Sequence, residues 1–300
     1  MRVAAIDCGT NSIRLLVADV DGAVLTDVSR RMEIVRLGEG VDRTGRLAPA
    51  AIERTRAVLA DYTAELRAAG AQRVRMVATS ASRDAENAAD FRAMVLDTLG
   101  APPEVITGDE EARLSFTGAV SGLDAPGPYL VVDIGGGSTE FVTGASNVGH
   151  AISVDIGCVR MTERHLPGDP PGADQIAAAR ADIEAHVDRA LAAVGSGGTL
   201  VGLAGSVTTV AALALGLERY DPERIHQARI SRDAVAKVTD DLFAATREQR
   251  LAMPVMHPGR ADVIAAGALI LRVIMERSGA ESVIASEHDI LDGIAFSATP

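Results

Sequence analysis

The stretch IDCGTNSIRLLV at residues 6–17 and the stretch VDIGGGSTEFVT at residues 132–143 share one grammar. Each runs an apolar strand into an aspartate, one further residue, a glycine, small polar residues and a second strand. Aligned, the two copies set Asp7 on Asp133, Gly9 on Gly135 and Ser12 on Ser138. Glycines let a backbone turn tightly and approach a ligand closely, so that consecutive N–H groups can point at phosphate oxygens. Gly136 and Gly137 extend this in the second copy, and Thr10, Asn11, Ser12, Ser138 and Thr139 add side-chain donors. A carboxylate at each strand end suits a hydrated Mg2+, which keeps several waters and needs few protein ligands. Asp-x-Gly also occurs in ordinary turns. Two copies in register, each opening one half of the chain, favour phosphate binding.

The rest of the pattern builds on these hairpins. Strands are expected at 2–6, 14–20 and 23–28, with Gly22 turning between the last two. Residues 49–70 read as a helix that starts at Pro49, carries Ile52, Leu59, Tyr62 and Leu66 on one stripe and stops at Gly70. A buried strand at 73–79, a helix at 87–99 closed by Gly100, and a strand at 104–107 follow. The helix at 109–120 opens with acidic residues, which favour the positive end of its dipole. The second half restarts with strands at 129–133, 139–143 and 150–156. Helices at 157–166 and 173–194 flank a Pro/Gly-rich loop at 165–174, and a strand at 199–205 leads into a helix at 206–216. Further helices are expected at 231–247, 261–277 and 289–297. The pattern breaks at SGLDAPGP, so the domains are drawn as 1–122 and 123–300, with the C-terminal helix a candidate to pack back on the first. Each half reads as a mixed sheet with helices, a duplication of plan rather than of sequence.

Composition narrows the classes. Three hundred residues at 47% hydrophobic content can supply two domain cores. The chain has no apolar run of about eighteen residues to span a membrane. Asp7 interrupts the first apolar stretch, so no secretory signal is read there, and a cytoplasmic location is expected. Cys8 and Cys158 form neither a disulfide framework nor a zinc spacing, and Cys8 is expected to point into packing, away from Asp7. A net charge of −12 argues against broad binding to nucleic acid or to anionic membranes. A polyanionic ligand would therefore need a local positive site. The GGGS at 135–138 precedes a strand, unlike the glycine loop of dinucleotide folds. GxxxxGK[ST], H-E-x-x-H, G-x-S-x-G and C-x-x-C are absent, and the single lysine, Lys237, sits in a helical pattern.

The motifs AAIDCGTNSIRLLV, VATSASRDAENAADF, ITGDEEARLSFTGA, VVDIGGGSTEF, DIGCVRMTER, GLAGSVTTVAAL and SEHDILDGI occur in this order. Together they resemble the exopolyphosphatase/guanosine pentaphosphate phosphatase (Ppx/GppA) family of the actin-like, sugar-kinase and Hsp70 ATPase (ASKHA) superfamily. The resemblance runs from residue 2 to about residue 297 and is to the short form, without the HD-like C-terminal domains of longer relatives. It implies an α/β fold of two actin-like, ribonuclease H-like domains, with mixed sheets flanked by helices and an active-site cleft between the domains. Ala204 departs from the glycine that many members carry in GLAGS.

The resemblance also assigns roles. Glu111, the second acid of DEEARL, matches the glutamate that orients or deprotonates the attacking water, while Glu110 is turned about 100° away around the helix. Arg83 matches a phosphate-binding arginine, whose guanidinium can hold two oxygens at once. Asp133 and Glu140 match an acidic pair near the metal, with Asp7 the equivalent carboxylate of the first half. Gly205 and Ser206 open a helix N-terminus suited to further phosphates. The implied cofactor is Mg2+, with Mn2+ as a substitute. The implied activity is exopolyphosphatase, with inorganic polyphosphate as substrate. The alternative is a pppGpp 5′-phosphohydrolase on the same residues, and (p)ppGpp is a candidate inhibitor. A kinase or a non-catalytic ppGpp/polyphosphate sensor is a third class; the compact chain lacks acceptor-pocket insertions, and a sensor would not need Glu111 with Asp133 and Glu140. A homodimer is a family expectation.

Overall fold

The computed structural model describes residues 1–22 and 24–299; the strand expected at 23–28 thus begins at a residue outside those described. The chain divides into two units, Met1–Ser121 joined by the segment that starts at Asp289, and Gly122–His288. The domain limit drawn after residue 122 therefore shifts by one residue. The segment from Asp289 onward packs in the first unit, as allowed for the C-terminal helix, so the second unit ends at His288 and not at residue 300.

In chain order the first unit contains β1 (Arg2–Cys8), β2 (Ser12–Asp21), β3 (Val24–Ile34), α1 (Val41–Thr44), α2 (Pro49–Ala68), β4 (Arg73–Ala78), α3 (Ser80–Asp84), α4 (Ala88–Leu99), β5 (Glu104–Val105) and α5 (Gly108–Val120). The second contains β6 (Tyr129–Ile134), β7 (Thr139–Gly144), β8 (Val148–Val154), α6 (Cys158–His165), α7 (Ala173–Val194), β9 (Thr199–Leu203), α8 (Ala204–Ala214), α9 (Pro222–Ile225), β10 (Arg229–Ser231), α10 (Arg232–Ala244), α11 (Arg247–Leu251), α12 (Ile264–Ser278) and β11 (Ser282–Ala285). The last helix, α13 (Ile290–Ser297), returns to the first unit.

The duplication is visible in the strand order. The first sheet runs β3-β2-β1-β4-β5, and the second runs β8-β7-β6-β9-β11 with β10 added at its edge. In both, an antiparallel three-stranded meander continues through parallel partners: β1 pairs β4 as β6 pairs β9. Both sheets are mixed and flanked by helices, so the plan is doubled. The strands β10 and β11 escape the sequence pattern because each is only three or four residues long, below the length at which alternation becomes legible. By contrast β3 outruns its expected end at 28 and continues to Ile34 along the exposed edge of β2.

Period-two alternation decides what each face of β1 sees. Ala4, Ile6 and Cys8 lie in a core with Leu59 and Tyr62 of α2 and Phe91 and Val95 of α4. Val3 and Ala5 face the other way, into a core with Leu114 of α5 and Ile290, Leu291 and Ile294 of α13. Asp7 follows Val3 and Ala5 onto that second face. Two glycines allow the close contact there: a Cβ on Gly118 would stand 1.8 Å from the Asp289 carbonyl oxygen, and one on Gly293 would stand 2.0 Å from that of Leu114. In the second unit, α7 and α12 bury Ile183, Val187, Leu269, Ile270 and Val273 with Leu130, Val132 and Phe141 of the sheet. Among the described residues no helix is long and apolar enough to cross a membrane.

Candidate active site

The two glycine turns have the same hydrogen-bonded register. Gly9 N donates to the Ser12 carbonyl at 3.0 Å, and Gly135 N donates to the Ser138 carbonyl at 3.0 Å. In both, strand pairing holds a residue at the strand end opposite a partner across the hairpin: Asp7 faces Arg14, and Asp133 faces Glu140. The alignment of Asp7 with Asp133, Gly9 with Gly135 and Ser12 with Ser138 therefore describes a structural equivalence. It also shows that Arg14 occupies in the first unit the station that Glu140 occupies in the second.

In the first unit the turn is fixed from two sides. Val35 N and Arg36 N donate to the Asn11 carbonyl, and Gly38 N donates to that of Thr10 at 2.8 Å. The Thr10 and Ser80 hydroxyls share a hydrogen bond of 2.9 Å. The amides of Thr10 and Asn11 bond no other protein group among the described residues. Parallel pairing of β1 with β4 sets Cys8 beside Ala78, which brings Thr79 and Ser80 alongside the turn and opens α3, the helix carrying Arg83. Arg83 Nη1 donates to Glu111 Oε2 at 3.2 Å and to the Ile106 carbonyl at 3.0 Å. Thr107 caps α5 by accepting from Glu110 N, which fixes the first turn on which Glu111 sits. Glu111 is buried while Glu110 reaches out to Arg75 at 2.6 Å, so the helix separates the neighbouring acids. Asp7 is buried and its Oδ2 accepts from Arg14 Nη2 at 2.7 Å and Nε at 3.0 Å, whereas its Oδ1 has no partner. Burial raises the Asp7 carboxyl above the usual carboxylate range, against the opposing charge and hydrogen bonds of Arg14.

In the second unit the turn at 135–138 is held through its carbonyls. Cys158 N donates to Gly135, Val159 N and Arg160 N donate to Gly136, and Arg160 Nε donates to Gly137 at 2.7 Å. The first turn of α6 is thus capped by the glycine turn itself, which turns those carbonyls inward. The amides of Gly136, Gly137 and Ser138 bond no protein group among the described residues. Asp133 and Glu140 are both buried, and Ser153 Oγ donates to Glu140 Oε1 at 2.7 Å. The Thr139 hydroxyl is spent on the Ile156 carbonyl at 2.7 Å, so this predicted donor serves the fold. Leu203 pairs beside Asp133, which places Gly205 and Ser206 in the same strand-end cluster. The helix there starts at Ala204, two residues earlier than its expected start. Ala204 has φ +66°, a left-handed conformation that favours the glycine of the family pattern.

Several residues of these clusters escape sequence reasoning. Arg14 could be found by register alone, two positions after Ser12. Arg260 could not: its guanidinium lies over Gly205, where a Cβ would meet it at 2.2 Å, and it donates to Thr209 Oγ1 from fifty-one residues away. Asp289 lies in the SEHDILDGI motif without an assigned role, and it accepts from Arg14 Nη1.

The donor set suits a hard cation. Among the described residues no three His, Cys, Asp or Glu side chains gather into a closed metal cluster. Mg2+ does not need one, because it takes one or two carboxylates and completes its shell with water and phosphate oxygens. The unpartnered Oδ1 of buried Asp7 and the opposed carboxylates of Asp133 and Glu140 are oxygen donors of that kind.

Fold and turns together define a doubled mixed α/β protein whose strand ends carry carboxylates and open backbone donors. Its family is narrower than that class: the chain belongs to the Ppx/GppA phosphatase family, whose model matches residues 16–300. It is 52% identical over 312 aligned residues to Exopolyphosphatase 2 of Mycobacterium tuberculosis, an alignment covering 99% of this chain and 98% of that one. A crystal structure described as an exopolyphosphatase-like protein superposes with a TM-score of 0.96 at 42% identity, covering 99% of this chain and 97% of the other. A Ppx/GppA family member from Aquifex aeolicus superposes with a TM-score of 0.83 at 33% identity, again covering 99% and 97%.

Proposed function

We propose that this chain is an exopolyphosphatase that hydrolyses the terminal phosphoanhydride bond of inorganic polyphosphate and releases orthophosphate. The observation that carries the reading is the set of unpaired backbone amides at Gly136, Gly137 and Ser138, on a turn flanked by buried Asp133 and Glu140. Backbone amides without a protein acceptor are open donors, and phosphate oxygens are acceptors suited to them. The full-length similarity to Exopolyphosphatase 2 supports the same substrate class.

Phosphoryl transfer asks the protein for positioning and charge neutralisation more than for covalent chemistry. Glu111, held by one guanidinium nitrogen of Arg83, orients the attacking water and accepts its proton. The Nε and Nη2 of Arg83 make no protein hydrogen bond among the described residues, which leaves a fork for phosphate oxygens. The turn amides hold the phosphate chain, and Gly205 with Ser206 at the start of α8 adds donors for further phosphates. In the second unit Asp133 and Glu140, and in the first unit Asp7 Oδ1, are the carboxylate oxygens open to Mg2+, or to Mn2+ in its place, which when bound would supply charge neutralisation at the phosphate oxygens.

The test is phosphate release from polyphosphates of several lengths, from pppGpp and from ATP in parallel, with EDTA and ppGpp as added arms. Polyphosphate is expected to be the preferred substrate, and EDTA is expected to stop the reaction. Glu111→Gln should lose at least about a hundredfold in kcat, the usual contribution of a general base, while still binding polyphosphate. A preference for pppGpp overturns the substrate assignment, and normal turnover by Glu111→Gln overturns the role of that residue.

A further inference from the structure

Resting on the reading above, we infer that Asp289 is a positioning residue: through Arg14 it fixes Asp7 so that Oδ1 is offered to the divalent cation. The three residues form one chain of charge-assisted bonds in the first unit. Arg14 donates Nε and Nη2 to a single oxygen of Asp7, at 3.0 and 2.7 Å, and Nη1 to Asp289 Oδ2. A guanidinium spread over two carboxylates in this way cannot rotate about either one. Asp289 thus anchors the guanidinium from its far side, and the edge that meets Asp7 engages Oδ2 alone, leaving Oδ1 buried and without a partner.

Asp289 is itself immobilised. Its Oδ1 accepts from Leu291 N at 2.9 Å as the cap of α13, and its own N–H donates to Asp292 Oδ2 at 2.9 Å, completing a capping box. Asp292 is held in turn by Arg30 Nη2 at 2.7 Å. The backbone of Asp289 lies against α5, with Gly118 admitting its carbonyl. The helix that braces Asp7 through Arg14 is thus the one that packs against the helix of Glu111. A segment from the far end of the chain fixes both carboxylates of the first unit.

The comparison of the two hairpins gives the reason for the device. Where the second unit opposes Asp133 with a carboxylate, the first unit opposes Asp7 with Arg14. A lone Asp7–Arg14 pair could close bidentately and use both carboxylate oxygens, as such pairs commonly do. Anchoring Nη1 on Asp289 holds the guanidinium in the offset position in which Nε and Nη2 both reach the same oxygen of Asp7.

Asp289→Asn tests the inference, because asparagine keeps one oxygen for the α13 cap and has no second oxygen for Arg14. The readouts are kcat and KM for polyphosphate, thermal unfolding, and binding of Mn2+ alone followed by its paramagnetic resonance signal. The variant is expected to lose about tenfold in kcat and about tenfold in Mn2+ affinity, within the range for residues that orient metal ligands, with KM changed less than about threefold. Glu53→Gln, which removes only an exposed partner of Arg56, is expected to match the parent in all readouts. Equal Mn2+ binding by the parent and Asp289→Asn, or a loss of kcat that follows the unfolded fraction alone, overturns the positioning role. An inactive parent that still binds Mn2+ more tightly than Asp289→Asn would instead overturn the polyphosphatase reading and keep the inference.

Discussion

Replacing Gly157 by alanine should displace the glycine turn at 135–138 without changing any side chain proposed to take part in the chemistry. Gly157 has φ −156°, an extended conformation open to alanine, so the effect is steric. Its added Cβ would lie 2.4 Å from both the carbonyl carbon and oxygen of Gly136 and 2.6 Å from Gly137 N. Ordinary contact begins at about 3.4 Å, so the turn must retreat by about 1 Å. Overpacking of that size costs about 1–3 kcal/mol. The retreat also stretches the bonds from Cys158, Val159 and Arg160 that pin the turn, each worth about 1 kcal/mol net. Misplacing a substrate-holding group by about 1 Å costs up to about a hundredfold in rate. The assay is kcat/KM for polyphosphate alongside thermal unfolding, with Gly172→Ala as control, a position where a Cβ meets open space. We expect kcat/KM to fall at least tenfold in Gly157→Ala and to stay unchanged in the control. Wild-type kcat/KM in a folded Gly157→Ala protein would refute the claim that the turn amides grip the substrate.

Two further outcomes test how the scaffold is held. Thr107→Ala removes the cap of α5 and should cost about 1 kcal/mol of stability, read as a lower midpoint in urea unfolding, with a larger proportional loss of kcat because Glu111 rides on that turn. Burial acts to raise the Asp182 carboxyl, but hydrogen bonds from His165 and Arg164 outweigh it and hold the group below the ordinary aspartate value. Its stabilising contribution is therefore complete above that value and lost as pH falls below it. Asp182→Asn should destabilise the protein at neutral pH, and the difference from the parent should shrink in acid-unfolding curves below about pH 4.

The register of the two hairpins was legible because the turn chemistry is local: a glycine after Asp-x states where the backbone must bend, and a period of two states which residues share a face. Glu111, Arg83 and the acidic pair were candidates through the family motifs alone, whereas helical rotation separated Glu110 from Glu111. Short strands such as β10 and β11 were not legible, because their order comes from pairing with β9 rather than from their own pattern.

By itself, then, the sequence determined a doubled α/β plan, the two carboxylate-ended turns and the residue types proposed to handle phosphate. The C-terminal helix was already a candidate to return to the first unit, but only the tertiary structure decided that the returning segment starts at Asp289, that Arg14 bridges Asp7 to Asp289 across 275 positions, and that Arg260 covers Gly205. The physical reason is range. Turn and strand preferences are encoded within a few residues, whereas a salt link or a glycine contact between distant segments exists only after the sheets and helices have brought them within a few ångströms.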